Sequence, residues 1–193
     1  MENIIENAPQ AARDEYFEIK DRELKNALSI DMDLSESYKH EEIELSDGTI
    51  VELETTDQVE SRNRSLTLSP NTSENKAYGD RKFTATATLK SFGVPVATFK
   101  LGTHYTIGDY GLKMRYLSTA GTNGTVLSEV TVAGTEVTNE KATVGKTING
   151  IASYKLTGQL NNGYIELRSS IKHKSLDKSK KTAYVIQSFK YAD

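Results

Sequence analysis

The chain contains no cysteine and no tryptophan, and only 3 prolines in 193 residues. Without cysteine there is no thiol nucleophile, no Cys-ligated zinc and no disulfide framework. The fold must stand on its own core, and a chain of this length buries one without staples. Long apolar runs are missing as well. The longest, such as Tyr184 to Ile186, have strand length, far short of the roughly 18 residues that a membrane helix needs. No Gly-x-Ser-x-Gly elbow, Walker loop or dinucleotide fingerprint occurs, and the glycines fall where turns are needed.

The first residues, MENIIENAPQ, have neither the basic nor the apolar region of a secretory signal. Read literally, that points to the cytoplasm. The body, rich in Thr, Ser, Gly, Asn and Tyr, instead reads as a mature exported bacterial protein whose Met1 was added to a processed chain. Export or the cell surface is the expectation, with the cytoplasm as the alternative.

Charge divides the chain. Residues 1–60 carry 18 acidic and 5 basic side chains, a net of −13, while the rest of the 27 acidic and 24 basic residues leave 61–193 at +10. Such asymmetry is a cue for partner binding, or for one half binding the other.

Residues 11–30 predict a short amphipathic helix with a thin apolar stripe: Tyr16, Ile19, Glu23 and Asn26 fall on one line, Phe17, Leu24, Ala27 and Leu28 on another. In EEIELSDGTIVELE, residues 41–54, the Asp47-Gly48 pair between alternating runs predicts a hairpin with a type I′ turn. Residues 61–77, small and polar around Pro70 and Asn71, read as a linker with one short strand at Ser65 to Leu68. The expected organisation is thus an acidic segment 1–60, a linker 61–77 and a basic β-domain 78–193.

From Arg81 the period becomes two. Phe83, Ala85, Ala87 and Leu89 share one face, and Thr84, Thr86, Thr88 and Lys90 the other. Ala97, Phe99, Leu101 and Tyr105 share a face after Pro95; then Leu112, Met114 and Tyr116 alternate with Lys113, Arg115 and Leu117. Further strands follow at Thr125 to Ala133, Ile148 to Leu156, Gly163 to His173 and Thr182 to Tyr191. About seven strands at short spacing predict an all-β fold, an immunoglobulin-like antiparallel sandwich, with a jelly roll or a small closed barrel as alternatives that periodicity does not separate.

Little in this pattern points to catalysis. His40, His104 and His173 lie in different predicted elements with no Asp or Cys at ligand spacing, and each is expected as surface or partly buried filler. No pair among Asp109, Glu129, Glu136, Glu140, Glu166 and Asp177 stands out as acid and base, although carboxylates distant in sequence can meet in space. The segment Asp31 to Glu36 lacks the central Gly and terminal Glu of a calcium loop. No metal or other cofactor is expected. The basic side is richer: Arg168, Lys172, Lys174, Lys178, Lys180 and Lys181, with His173 among them, fall in and after one strand. They read either as a solvated loop or as a patch for an anionic polymer, such as a cell-wall teichoic acid, or for the acidic arm itself. Nucleic acid is not expected, because the tyrosines sit at strand-alternation spacing rather than as stacking platforms.

The segments YGDRKFTATATLKSFGVPVATFKLGTHYTI, GLKMRYLSTAGTNG and SLDKSKKTAYVIQSFKY resemble small exported proteins of Gram-positive bacteria. The resemblance covers Tyr78 to Asp193 and implies an exported β-sandwich protein of uncharacterised function. The leading expectation is a non-enzymatic exported or surface binding module, its acidic arm serving as a masking or self-association segment. Two alternatives are a β-pore or self-assembling protein that uses residues 125–147, where Val alternates with Ser, Thr and Gly, and an enzyme whose site is assembled in space.

Overall fold

Alternation of apolar and polar residues builds the strands. In β5, Gly79–Ser91, the side chains of Phe83, Ala85, Ala87 and Leu89 are buried while Thr84, Thr86, Thr88 and Lys90 remain half-exposed, as expected from the period of two. The computed structural model describes residues 9–32, 38–60, 76–124, 128–158 and 163–192. The acidic stretch from Asp33 to Glu36, the expected strand Ser65 to Leu68 and the residues Thr125 to Leu127 lie outside the described residues.

The described chain is all-β apart from one helix, α1 (Gln10–Ala27). The other strands are β1 (Ser29–Met32), β2 (Tyr38–Glu44), β3 (Ile50–Val59), β4 (Lys76–Ala77), β6 (Val94–Gly108), β7 (Gly111–Asn123), β8 (Ser128–Asn139), β9 (Lys141–Ala142), β10 (Thr147–Gly158), β11 (Gly163–Asp177) and β12 (Thr182–Tyr191). The expected seven strands of the C-terminal part are β5 to β8 and β10 to β12. Two antiparallel sheets face each other. The first has the order β2-β3-β5-β6-β7-β9; the second runs β1-β12-β11-β10-β8, with β4 also pairing with β12.

Consecutive long strands are neighbours in both sheets, which makes the order a meander. Among the described strands, the short β1 and β4 depart from it by lying beside β12, far from them in sequence. Short turns such as Phe92-Gly93, both at positive φ, join adjacent strands directly and leave no long return connection between β5 and β6. Sequence reading separates 1–60 from 78–193. In the structure β3 pairs with β5 from Ile50↔Lys90 to Val59↔Arg81, and Leu24, Leu28, Val51 and Leu53 belong to the same buried cluster as Phe83, Phe99 and Phe189.

The hairpin at Asp47-Gly48 forms, but not with a two-residue type I′ turn. Leu45 and Thr49 close a three-residue loop in which Gly48 N–H donates to Leu45 O and Gly48 takes φ +79°. Asp47 accepts from Thr49 N and is free to reach α1, where Lys20 and Tyr16 donate to its carboxylate. Leu24, Ala27 and Leu28 bury the end of the helix, and Leu28 O accepts from Tyr191 N at the end of β12.

The two sheets are tied by polar contacts across the core. Thr103 donates to Ser169 Oγ at 2.7 Å. Asp57 is buried as well: its Oδ2 lies 2.7 Å from Lys76 Nζ and 2.6 Å from Arg81 Nη2, while Tyr105 donates to Oδ1 and Gln187 donates to Tyr105. Burial, followed by the Asp57 charge, pushes the Tyr105 hydroxyl well above its usual range, so it remains a donor.

Asp57→Asn leaves Lys76 and Arg81 without this carboxylate in a buried place, and a cost of about 3–5 kcal/mol is expected in urea unfolding. At the helix, burial alone would raise the Asp47 carboxyl, but hydrogen bonds from Lys20 and Thr49 outweigh it and hold it at about 2, below the usual 3.8. Its folded-state pKa is depressed, so this contribution is complete above the unfolded value and is lost as pH falls through the folded one. Lys20→Met is expected to cost about 1 kcal/mol near neutral pH, discounted for partial exposure. The gap between wild type and variant should narrow as the pH is lowered from about 5 to about 2; a gap that does not change with pH contradicts the pairing.

Candidate functional site

Three of the six expected cations line one strand. On β11, Arg168 is half-buried, Lys172 and Lys174 are exposed, and all three project from the face turned away from the core, since Leu167, Ser169, Ile171 and His173 are buried between them. A register shift between His173 and Ser175 makes Lys174 an extra residue; Ser175 joins it on the outer face, and Leu176 returns inward opposite buried Ala183. Lys178, Lys180 and Lys181 follow in the turn to β12. Asp177 organises that turn: it accepts from Ser179 Oγ at 2.6 Å and from Lys180 N at 3.0 Å, and these bonds, Ser179 first, hold its carboxyl below the usual range.

Among the described residues, Arg168, Lys172, Lys174, Lys178 and Lys181 have no ion-pair partner, while Lys180 has the exposed Asp177 at 3.9 Å. Lys190 extends the row, opposite Arg168 on β12, with Asp31 at 3.8 Å. At about 3.4 Å per residue, the line from Arg168 to Asp177 is roughly 30 Å long, with about 14 Å from Arg168 to Lys172 and about 7 Å from Lys172 to Lys174.

A second constellation, not anticipated from the spacing of the histidines, lies on the outer face of the first sheet. β6 and β7 pair His104↔Tyr116 and then Tyr105↔Met114, so Arg115 is an extra residue in β7. Leu112 and Met114 face the core as expected, but the slip turns Tyr116 outward, contrary to the uniform alternation read from sequence. There it stacks on His104, ring centroids 3.9 Å apart, and the imidazole is only 4% exposed. The same slip puts Ser118 on the outer face. Ser118 Oγ lies 3.0 Å from His104 Nε2, and Glu60 Oε1 lies 2.6 Å from His104 Nδ1. Arg115 Nη1 stands 3.0 Å from both Glu60 Oε2 and Asp80 Oδ2.

Burial lowers the His104 pKa below its usual 6.5 and outweighs the Glu60 contact that raises it; the charges of Lys82 and Arg115 lower it further. Neutral imidazole has one donor and one acceptor nitrogen. With Glu60 as acceptor, the proton sits on Nδ1, and Nε2 accepts from the Ser118 hydroxyl. Gly102 makes the contact sterically accessible, because a Cβ there would collide with Ser118 Oγ and stand 3.0 Å from Lys82 Cε. No linear motif signals this set: its members are at positions 60, 104 and 118, and a bulge decides which face Ser118 takes.

His40, Glu52 and Glu54 also come together, with one ligand atom from each within 4.8 Å of the others. Lys90 Nζ already lies 2.8 Å from Glu52 Oε2 and, first among the causes, holds that carboxyl below its usual range. His173, by contrast, is buried beside Gly111, and neither ring nitrogen has a hydrogen-bond partner among the described residues. No described helix is long and apolar enough to cross a membrane. No family model matches the chain, and neither a curated protein nor a solved structure matches it.

Proposed function

We propose that the protein is an exported or cell-surface binding module that holds an anionic polymer along the outer face of the second sheet. The supporting observation is the row Arg168, Lys172 and Lys174, continuous with Lys178 and Lys181 in the turn and without ion-pair partners among the described residues. A cation that already has a carboxylate must give it up to bind another anion; these have none to give up. The row is linear, exposed and long, which suits a chain of repeated phosphate or carboxylate groups better than a single small anion. Binding at this face needs no chemistry, and export follows the resemblance of residues 78–193 to small exported proteins of Gram-positive bacteria.

Self-association is a second reading, favoured by an acidic edge on α1, a helix that overall carries 5 acidic and 4 basic side chains. α1 lies by the end of β12 at Tyr191, and the lysine turn precedes its start at Thr182, so the two charges sit at opposite ends of the strands. Asp14, Glu18 and Asp21 edge a groove of about 440 Å³ whose apolar lining includes Leu156 and Tyr164. The acidic end of one molecule therefore suits the basic end of another.

Titration of the full chain with a polyglycerol-phosphate teichoic acid is expected to show binding that weakens steeply with salt. Lys172→Glu/Lys174→Glu should weaken it by at least about tenfold and flatten the slope of log affinity against log salt by roughly one per lost phosphate contact. Binding that ignores both salt and these substitutions overturns the polymer reading. Sedimentation of the free chain across the same salt series reports on self-association separately.

A further inference from the structure

The geometry points to a nucleophilic serine on the first sheet: Ser118, with His104 as its base and Glu60 as the positioning residue, forms a site for hydrolysis of a small acyl ester. It lies on the other sheet from the cationic row and goes beyond polymer binding.

Each part has a physical role. A serine hydroxyl is a poor nucleophile until a base stands at hydrogen-bond distance, and His104 Nε2 is 3.0 Å from Ser118 Oγ. A base must be unprotonated at working pH. Burial keeps His104 in that state, and Tyr116 stacked at 3.9 Å fixes the plane of its ring. The tautomer must leave Nε2 free to accept, which Glu60 Oε1 at 2.6 Å from Nδ1 ensures. Glu60 is in turn held by Arg115, so its orientation does not depend on the histidine alone.

Charge that develops on the substrate oxygen requires a cation or a donor nearby. Lys82, opposite His104 on β5, brings its Cε over Gly102 beside Ser118 Oγ, each within 3.0 Å of where a Cβ on that glycine would stand, and its charge is felt at the imidazole. Its ammonium is therefore the group on hand for the oxyanion.

In the first step Ser118 Oγ bonds to the carbonyl carbon and its proton passes to His104 Nε2. The bond from that carbon to the alkoxy oxygen breaks, and the leaving alcohol takes the proton from Nε2. Water then repeats the sequence: His104 takes its proton, the hydroxide adds to the acyl carbon, and Ser118 leaves with the proton returned to Oγ. The net change is ester plus water to alcohol plus carboxylic acid. The site opens on a sheet face, so it fits an acyl group of acetyl size on an alcohol of any bulk, including an ester carried by a polymer.

The test uses the full chain with a fluorophosphonate probe and with 4-nitrophenyl acetate. Modification is expected at Ser118 in preference to Ser153, which is hydrogen-bonded directly to Glu166 with no imidazole between them. His104→Gln should slow both reactions by ~10²–10⁴-fold, with circular dichroism confirming that the sheets persist. The pH profile separates catalysis from mere structure. Glu60 raises the His104 pKa and Lys82 lowers it, so Glu60→Gln should move the inflection to lower pH and Lys82→Met to higher pH. Labelling that does not favour Ser118, or that His104→Gln leaves unchanged in a folded protein, overturns the assignment. Inflections that do not move in opposite directions overturn the roles of Glu60 and Lys82. Polymer binding by Ser118→Ala should be unaltered, which keeps this result independent of the cationic row.

Discussion

The carboxylate of Asp57 joins five strands. It sits on β3, is paired by Lys76 of β4 and Arg81 of β5, and accepts from Tyr105 of β6, which Gln187 of β12 supports from the opposite sheet. A carboxylate withdrawn from water remains charged only where cations and donors replace its hydration, and each partner must then hold its place to within hydrogen-bond distance. Apolar side chains tolerate small slides past one another, whereas this network does not. It therefore sets the register of β3 against β5 at the end where Glu60 leaves the sheet. Glu60 N donates to Asp80 O directly beside Arg81, and the carboxylate that meets His104 is placed by the same anchoring that holds the sheets together.

Each candidate site lies on a strand that gains one extra residue. Arg115 slips the phase of β7 and turns Tyr116 and Ser118 toward solvent; on β11 the cations point outward by alternation, and the shift after His173 turns Ser175 outward and Leu176 inward. A bulge costs local pairing but re-aims side chains without disturbing the strand before it. Leu112 and Met114 therefore pack as alternation predicts, while the residues after Arg115 obey the opposite parity.

Part of the split of charge along the sequence is paired within the molecule. Asp57 with Lys76 and Arg81, Glu52 with Lys90, Glu60 with Arg115 and Asp31 with Lys190 all pair an acid from the first 60 residues with a cation from the rest. The acidic segment binds the basic part by becoming strands of the same two sheets. What is left over is uneven: the row on β11 and its turn stays without such partners, and the acidic helix edge stays at the far end. These remainders, rather than the totals of −13 and +10, are what a partner meets.

The sequence by itself determined the all-β class, the seven long strands after residue 78, the helix before them, the hairpin at Asp47-Gly48 and the outward cations of β11. Each depends on local spacing, and period, turn chemistry and burial preference are all local properties. Only the tertiary structure decided the meander order, the pairing of β3 with β5, the environment of Asp57 and the meeting of Glu60, His104 and Ser118. Those depend on which strands lie side by side and on where a ladder gains a residue. Alternation is blind to both, because it records which residues share a face of one strand and not which strand, or which shifted register, stands next to it.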